Sequence, residues 1–178
     1  MIFSNGEWFD PTFEKWLEPS GYYIHVYNDN VMVTESGGEI RFPVSEEDGW
    51  FVVSHGDRGT DEGPQIRART LVDVQRYLAN DLSSEVRTGL GLTWISLPGK
   101  PGGEAPGYQV VELGDRWRSL ERADGSRVQV DLRGGGGTNR AVEFSWVADR
   151  PLEVVLSSFA APDGGPLFKD FLWYGPET

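Results

Sequence analysis

Four short runs of β-branched and aromatic residues, each followed by turn-forming residues, succeed one another between Tyr22 and Ser54, and this pattern constrains the fold more than any other feature. Tyr22 to Tyr27 and Val31 to Thr34 flank Asn28-Asp29-Asn30 and read as a hairpin. Gly37-Gly38 turns the chain into Glu39 to Val44, where Ile40, Phe42 and Val44 alternate with polar residues. Pro43 has no N–H to donate and favours an edge position there. Trp50 to Ser54 is the fourth run. Strands joined this closely neighbour one another only antiparallel, because a parallel pair needs a crossover of about a dozen residues or more.

One segment is plainly helical. Leu71, Val74, Leu78, Leu82 and Val86 recur at steps of three or four, which predicts an amphipathic helix from about 71 to 88. Thr70 stands at its N-cap with Asp73 three residues on, a short-armed capping box, and Gly89 is placed to supply a left-handed stop. Asp10-Pro11 opens a shorter helix with Phe13, Trp16 and Leu17 on its apolar side, ended by Pro19-Ser20-Gly21. Near the other terminus Leu152, Val155, Leu156 and Phe159 share a helical stripe after Pro151, and Pro162 to Pro166 breaks it. The segment from Arg140 to Val147 fits either period and is taken as a helix capped by Thr138-Asn139, after the hinge-like run Gly134 to Gly137.

Tyr108 to Leu113 and Trp117 to Val130 read as further strands, with Asp124-Gly125 in the last hairpin. A three-residue loop ending in a left-handed Gly125 buries Leu120 opposite Val128, so a bulged turn is expected. Between Pro98 and Gly107 seven of ten residues are Gly or Pro, the composition of a surface loop. The scarcity of strand–helix alternation argues against a doubly wound sheet. The expected fold is α+β: a largely antiparallel sheet of about six to eight strands, the 71–88 helix packed on it, and short helices near both termini. With 178 residues and 38% hydrophobic composition, residues 1–178 form a single expected domain.

The charge is lopsided. Residues 1–66 hold 13 carboxylates beside only Lys15, Arg41 and Arg58, a net of −10 out of −12 for the whole chain. Such a surface is repelled by phosphate backbones and by anionic lipid, so nucleic acid and membrane are poor partners and a basic protein is a better one. There is no cysteine, no basic-then-apolar leader, and no run approaching ~18 apolar residues, which fits a cytoplasmic protein.

No constellation of residues makes a convincing catalytic or metal centre. Ser54-His55-Gly56-Asp57 gathers hydroxyl, imidazole and carboxylate, but adjacency is not triad geometry and no Gly-x-Ser-x-Gly elbow is present. His25 and His55 are the only histidines, neither with a second at i+3 or i+4, and the loop from Asp57 to Gly63 lacks calcium-hand spacing. The run Gly134 to Gly137 has no Lys-Ser/Thr after it, so it is not a phosphate loop. Arg116, Arg118, Arg122 and Arg127 alternate with Asp115, Glu121, Asp124 and Asp131 as on a solvated strand pair. No catalytic residue, metal ligand or cofactor is therefore assigned. The candidate binding residues are Glu46, Glu47 and Asp48 ahead of Trp50, and Asp57, Asp61 and Glu62 beyond Val53, a negative rim with Trp50 as aromatic anchor. Two other readings stay open at this level: a small-ligand or enzymatic domain with an aromatic-lined pocket, and an acidic adaptor for an unrelated basic protein.

The ordered blocks Gly37 to Phe42, Gly49 to Val53, Asp57-Arg58 with Glu62-Gly63, and Val74 to Leu78, followed by Ser157 to Phe159 and Gly165 to Phe168, resemble the actinobacterial immunity proteins that include the immunity factor of the tuberculosis necrotizing toxin. The resemblance implies a cytosolic, non-catalytic antitoxin bound one-to-one to the toxin domain of a secreted effector. In that family the toxin is an NAD glycohydrolase, and the inhibitor blocks the cleft where the dinucleotide enters. A cleft that receives a pyrophosphate is typically positive, so an acidic stopper suits it. The six carboxylates rest on this electrostatic argument and are not carried over from the family.

Overall fold

The structure, a computed structural model, describes residues 8–27, 30–134 and 139–174. Its strands are β1 (Tyr22–Tyr27), β2 (Asn30–Glu35), β3 (Ile40–Glu47), β4 (Trp50–Asp57), β5 (Thr60–Ala68), β6 (Tyr108–Gly114), β7 (Trp117–Arg122) and β8 (Arg127–Arg133). Its α-helices are α1 (Pro11–Leu17), α2 (Leu71–Asp81), α3 (Ser83–Gly89), α4 (Arg140–Ser145) and α5 (Leu152–Ala160). All eight strands join one sheet in the order β1-β2-β3-β4-β5-β8-β7-β6, and each neighbouring pair is antiparallel. The chain thus lays down a five-strand meander, leaves the sheet through α2 and α3, and returns with a three-strand meander whose last strand docks on β5.

Period-two burial shows which side of the sheet is covered. Val31, Val33, Phe42, Val44, Val53, Ile66, Val130 and Leu132 are buried on one face and join a single core with Leu71, Val74, Leu78, Phe144, Val155 and Phe159 from the helices. α2 packs over β4 and β5, α4 over β6 to β8, and α1 over β1. The other face of the sheet carries no helix among the described residues.

The local signals act as expected at many ends. Asp10 accepts a hydrogen bond from Thr12 N at 2.7 Å with Pro11 next to it, Thr70 accepts from Asp73 N at 3.2 Å, and Asn139 accepts from Ala141 N at 3.1 Å. Gly125 has φ 80°, and Glu121 pairs with Arg127, the register that the three-residue loop requires. A bulge between Ser119 and Glu121 then shifts β7 against β8, and both Leu120 and Val128 are buried.

Several expectations need correction. Pro43 lies in β3, an interior strand, and the β3–β4 ladder lapses at Phe42 and Pro43, where Pro43 offers no N–H. The helix of 71–88 is divided at Leu82 (φ −97°, ψ 6°) into α2 and α3, although Val86 N still reaches Leu82 O at 3.1 Å. Its left-handed stop is Gly91 (φ 68°): Gly91 N bonds Thr88 O at 3.0 Å and Leu92 N bonds Arg87 O at 2.8 Å, a Schellman closure. β5 was not anticipated, because Asp61-Glu62-Gly63-Pro64 reads as loop; the structure instead pairs residues 60–68 with β4 through two register shifts. Of the glycine run, residues 135–137 lie outside the described residues, as does Thr138.

Candidate functional site

The carboxylates of the first 66 residues do not form one patch. β4 has eight residues and spans roughly 23 Å between its terminal Cα atoms at about 3.3 Å per residue. Glu46, Glu47 and Asp48 stand at its start, and Asp57, Asp61 and Glu62 at its far end.

At the far end two turns come together. Arg58 and Gly59, with φ 47° and 83°, make a tight β4–β5 turn, and Arg58 N bonds Glu39 O across to the β2–β3 turn at 2.9 Å. The Arg58 side chain reaches only loosely to Glu39 (3.6 Å) and Asp57 (3.8 Å), and all three are well exposed, so it neutralises little. Asp61 accepts from Gly63 N at 2.8 Å, and Glu62 takes His55 Nδ1 at 2.8 Å.

The helices add acids that sequence reading missed. Buried Tyr22 has its hydroxyl pushed up to about 12, first by burial and then by Glu85, Glu35, Asp81 and Asp57, so strands and helices bring four carboxylates to bear on one ring. Asp81 closes α2 and Glu85 lies in α3, four residues on. Burial raises the Asp81 carboxyl, and Arg140, 3.4 Å away, and His55 oppose that rise. The Asp81/Glu85 spacing was a usable signal; what could not be read was that this helix junction meets the sheet end.

At the near end, Asp48 and Gly49, with φ 52° and 73°, form the β3–β4 turn, and Glu47 pairs with Trp50. Cations crowd this end. Arg69 donates to the carbonyls of Asp48 (3.2 Å) and Gly49 (3.0 Å), and its guanidinium carbon lies 4.0 Å from the centre of the Trp50 ring. Arg67 lies 5.5 Å from Trp50, 5.2 Å from Trp117, and 2.8 Å from Asp131. Trp50 thus stands among arginines as well as acids.

Other polar clusters satisfy themselves. Ser54 and His55 lie within β4 at its bulges, and His55 is engaged by Glu62 and by the Phe42 ring at 5.0 Å. An open groove of about 430 Å³ runs past Tyr108, Arg122 and Asp149. Its polar groups close on each other: Arg122 grips Asp149 at 2.6 and 2.8 Å, and Tyr108 donates to the same carboxylate at 2.9 Å. Among the described residues no set of three or more His, Asp or Glu is placed to hold a metal ion.

The fold and this distribution of charge define an α+β protein whose notable chemistry lies on exposed ends and faces. The model of the family described as Immunity protein 61 matches residues 16–167, and the chain belongs to that family. It is 26% identical over 167 residues to the "Immunity factor for TNT" of Mycobacterium tuberculosis and to its homolog in Mycobacterium bovis, covering 90% of this chain and 91% of each relative. The solved structure of Rv3902c from M. tuberculosis superposes with a TM-score of 0.78 at 25% identity, over 94% of this chain and 96% of that one.

Proposed function

We propose that this immunity protein is a non-catalytic cytoplasmic antitoxin that binds an NAD-degrading toxin one-to-one and seats its acidic sheet end in the toxin's substrate cleft. The observation that supports the reading is the acidic far end of β4, where Asp57 closes the strand, Asp61 and Glu62 open β5 beside it, Glu35 closes β2, and Glu39 lies on the β2–β3 turn bonded to Arg58. Groups that hold a dinucleotide's pyrophosphate are cationic donors, and carboxylates on a rigid sheet end can occupy the same donors. The paired turns at this end are short and closed by backbone bonds, so little ordering is needed on docking. The relatives at 26% identity are immunity factors for TNT, which supports a toxin as the partner.

Competition tests occlusion separately from binding. A catalytically inactive toxin domain should form a one-to-one complex with this protein, and a saturating non-hydrolysable dinucleotide should slow its formation. Complex formation at an unchanged rate would place the contact away from the cleft.

A further inference from the structure

The helix-free face of the sheet carries a side-chain cluster built on Arg67. Strand alternation places Trp50, Arg67, Asp131 and Trp117 on this face, opposite to buried Val53, Ile66 and Leu132. The Arg67 guanidinium lies between two indoles, 5.5 Å from Trp50 and 5.2 Å from Trp117, and its Nε donates to Asp131 at 2.8 Å. Its terminal nitrogens have no acceptor among the described residues, and 44% of the side chain is exposed. A planar fork held by stacking and by one carboxylate, with its outer donors free, is prearranged for a second carboxylate. Beside it an open depression of about 350 Å³, lined in part by Trp50, Leu113 and Arg127, is wide enough to receive a partner side chain.

We propose that this face, centred on Trp50, Arg67 and Trp117, is a second docking surface that receives a carboxylate-bearing segment of the same toxin; the proposal rests on the toxin-neutralising reading above. Three observations favour that occupant. Arg67, Arg69 and Arg127 lie on or beside this part of the face together with Glu47, Asp48 and Asp131, and the free terminal donors of Arg67 are the groups there that an added carboxylate can satisfy. The overall negative charge disfavours a nucleic acid as the source of the anion. A standard interface covers about 800 Å² per partner, a footprint roughly 30 Å across, so Trp50 at one end of β4 and the acidic cluster at the other fit within a single contact. Tryptophan and arginine in a half-enclosed setting are also the side chains that dominate binding energies.

The test measures the affinity of inactive toxin domain for the intact protein and for Trp117→Ala and Arg67→Lys, with thermal unfolding in parallel. Arg67→Lys would keep a charge opposite Asp131 but lose the fork and the stack. Both variants should bind at least tenfold more weakly, mainly through faster dissociation. Affinities within twofold of the parent overturn the proposal. Should either variant unfold, Arg127→Glu, exposed at the start of β8, replaces it and must weaken binding several-fold; unchanged affinity there is equally fatal. A variant that changes the sedimentation of the free protein but not its toxin affinity assigns the face to a second copy and overturns the proposal. If the unaltered protein fails to bind the toxin, the antitoxin reading falls as well, whereas insensitivity to these variants removes only the second surface.

Discussion

Gly89, at the end of α3, lies so close to Pro19 that a Cβ there would overlap the Pro19 carbonyl. The short turn after α1 rests on α3 at this point, and only a residue without a side chain allows the approach. Gly89→Ala should destabilise the fold by about 1–3 kcal/mol, the range typical of overpacking. Gly91→Ala should also destabilise it, by about 1 kcal/mol, through the strain of a left-handed position. Urea unfolding of both variants checks the order; equal losses would mean the Pro19 contact is not tight.

Arg87 is a fully buried cation with no carboxylate partner among the described residues. Its guanidinium donates to the carbonyls of Thr93, Phe159 (2.7 Å), Ala161 (2.8 Å) and Pro162 (3.2 Å), tying the loop after α3 to the end of α5. Arg87→Met removes all these donors at once and should cost about 3 kcal/mol or more, since the buried carbonyls lose their partners. Arg87→Lys cannot reach four acceptors in a plane and should recover less than half of the loss in the same unfolding assay.

Two acids should respond to pH with opposite signs. Burial holds the Glu143 carboxyl above its usual value of 4.5, so the folded state binds its proton more tightly and ionisation weakens the fold as pH rises through that range. Glu143→Gln should therefore stabilise the protein at pH 7, with the gain fading as pH falls through the raised value and gone below about 4.5. Asp149, hydrogen-bonded by Arg122, is held below its usual 3.8, so it contributes stability above that value and loses it as pH falls through the lowered one. Asp149→Asn should destabilise at pH 7, and the deficit should shrink in acid. Unfolding midpoints from pH 3 to 7 decide; parallel profiles for the two variants would contradict the assignment.

The two acidic groups at the ends of β4 should differ in their effect on association. Asp57, Asp61 and Glu62 stand at the far end of β4, where the side chain of Arg58 is well exposed and only loosely paired, whereas Glu46, Glu47 and Asp48 stand at the end where Arg69 binds the Asp48 carbonyl and Trp50. Neutralising the first three to Asn or Gln should slow association with the toxin about tenfold and flatten its salt dependence; neutralising the second three should do so by no more than about twofold. Stopped-flow rates at two ionic strengths measure both, and a larger effect at the Asp48 end would assign the cleft-filling contact to that end.

How much was legible in the sequence follows from the range of each signal. The β1–β2 hairpin, the bulged Gly125 turn and the caps at Asp10, Thr70 and Asn139 depend on residues a few positions apart, and all of them formed. β5 was hidden because its first half is acidic and carries Gly63-Pro64, and it becomes a strand only by pairing around the bulges of β4. Gly89 looked like a helix stop because its other role, proximity to Pro19, is a tertiary contact. The same limit applies to the candidate site: Asp57, Asp61 and Glu62 were found as local acids, while Asp81 and Glu85 join them only because α2 crosses the sheet. Trp50 is legible as an exposed-end aromatic, whereas its arginine neighbours come from β5 and the segment after it and are set by strand pairing.

If this protein silences a toxin by filling its substrate cleft, one equivalent of it must stop the toxin's chemistry. The toxin domain and this protein are mixed at equal molar amounts and the disappearance of NAD is followed. NAD loss should stop at one equivalent and return when Asp57, Asp61 and Glu62 are neutralised together at sub-saturating concentration. Undiminished NAD consumption with the unaltered protein in excess would contradict it.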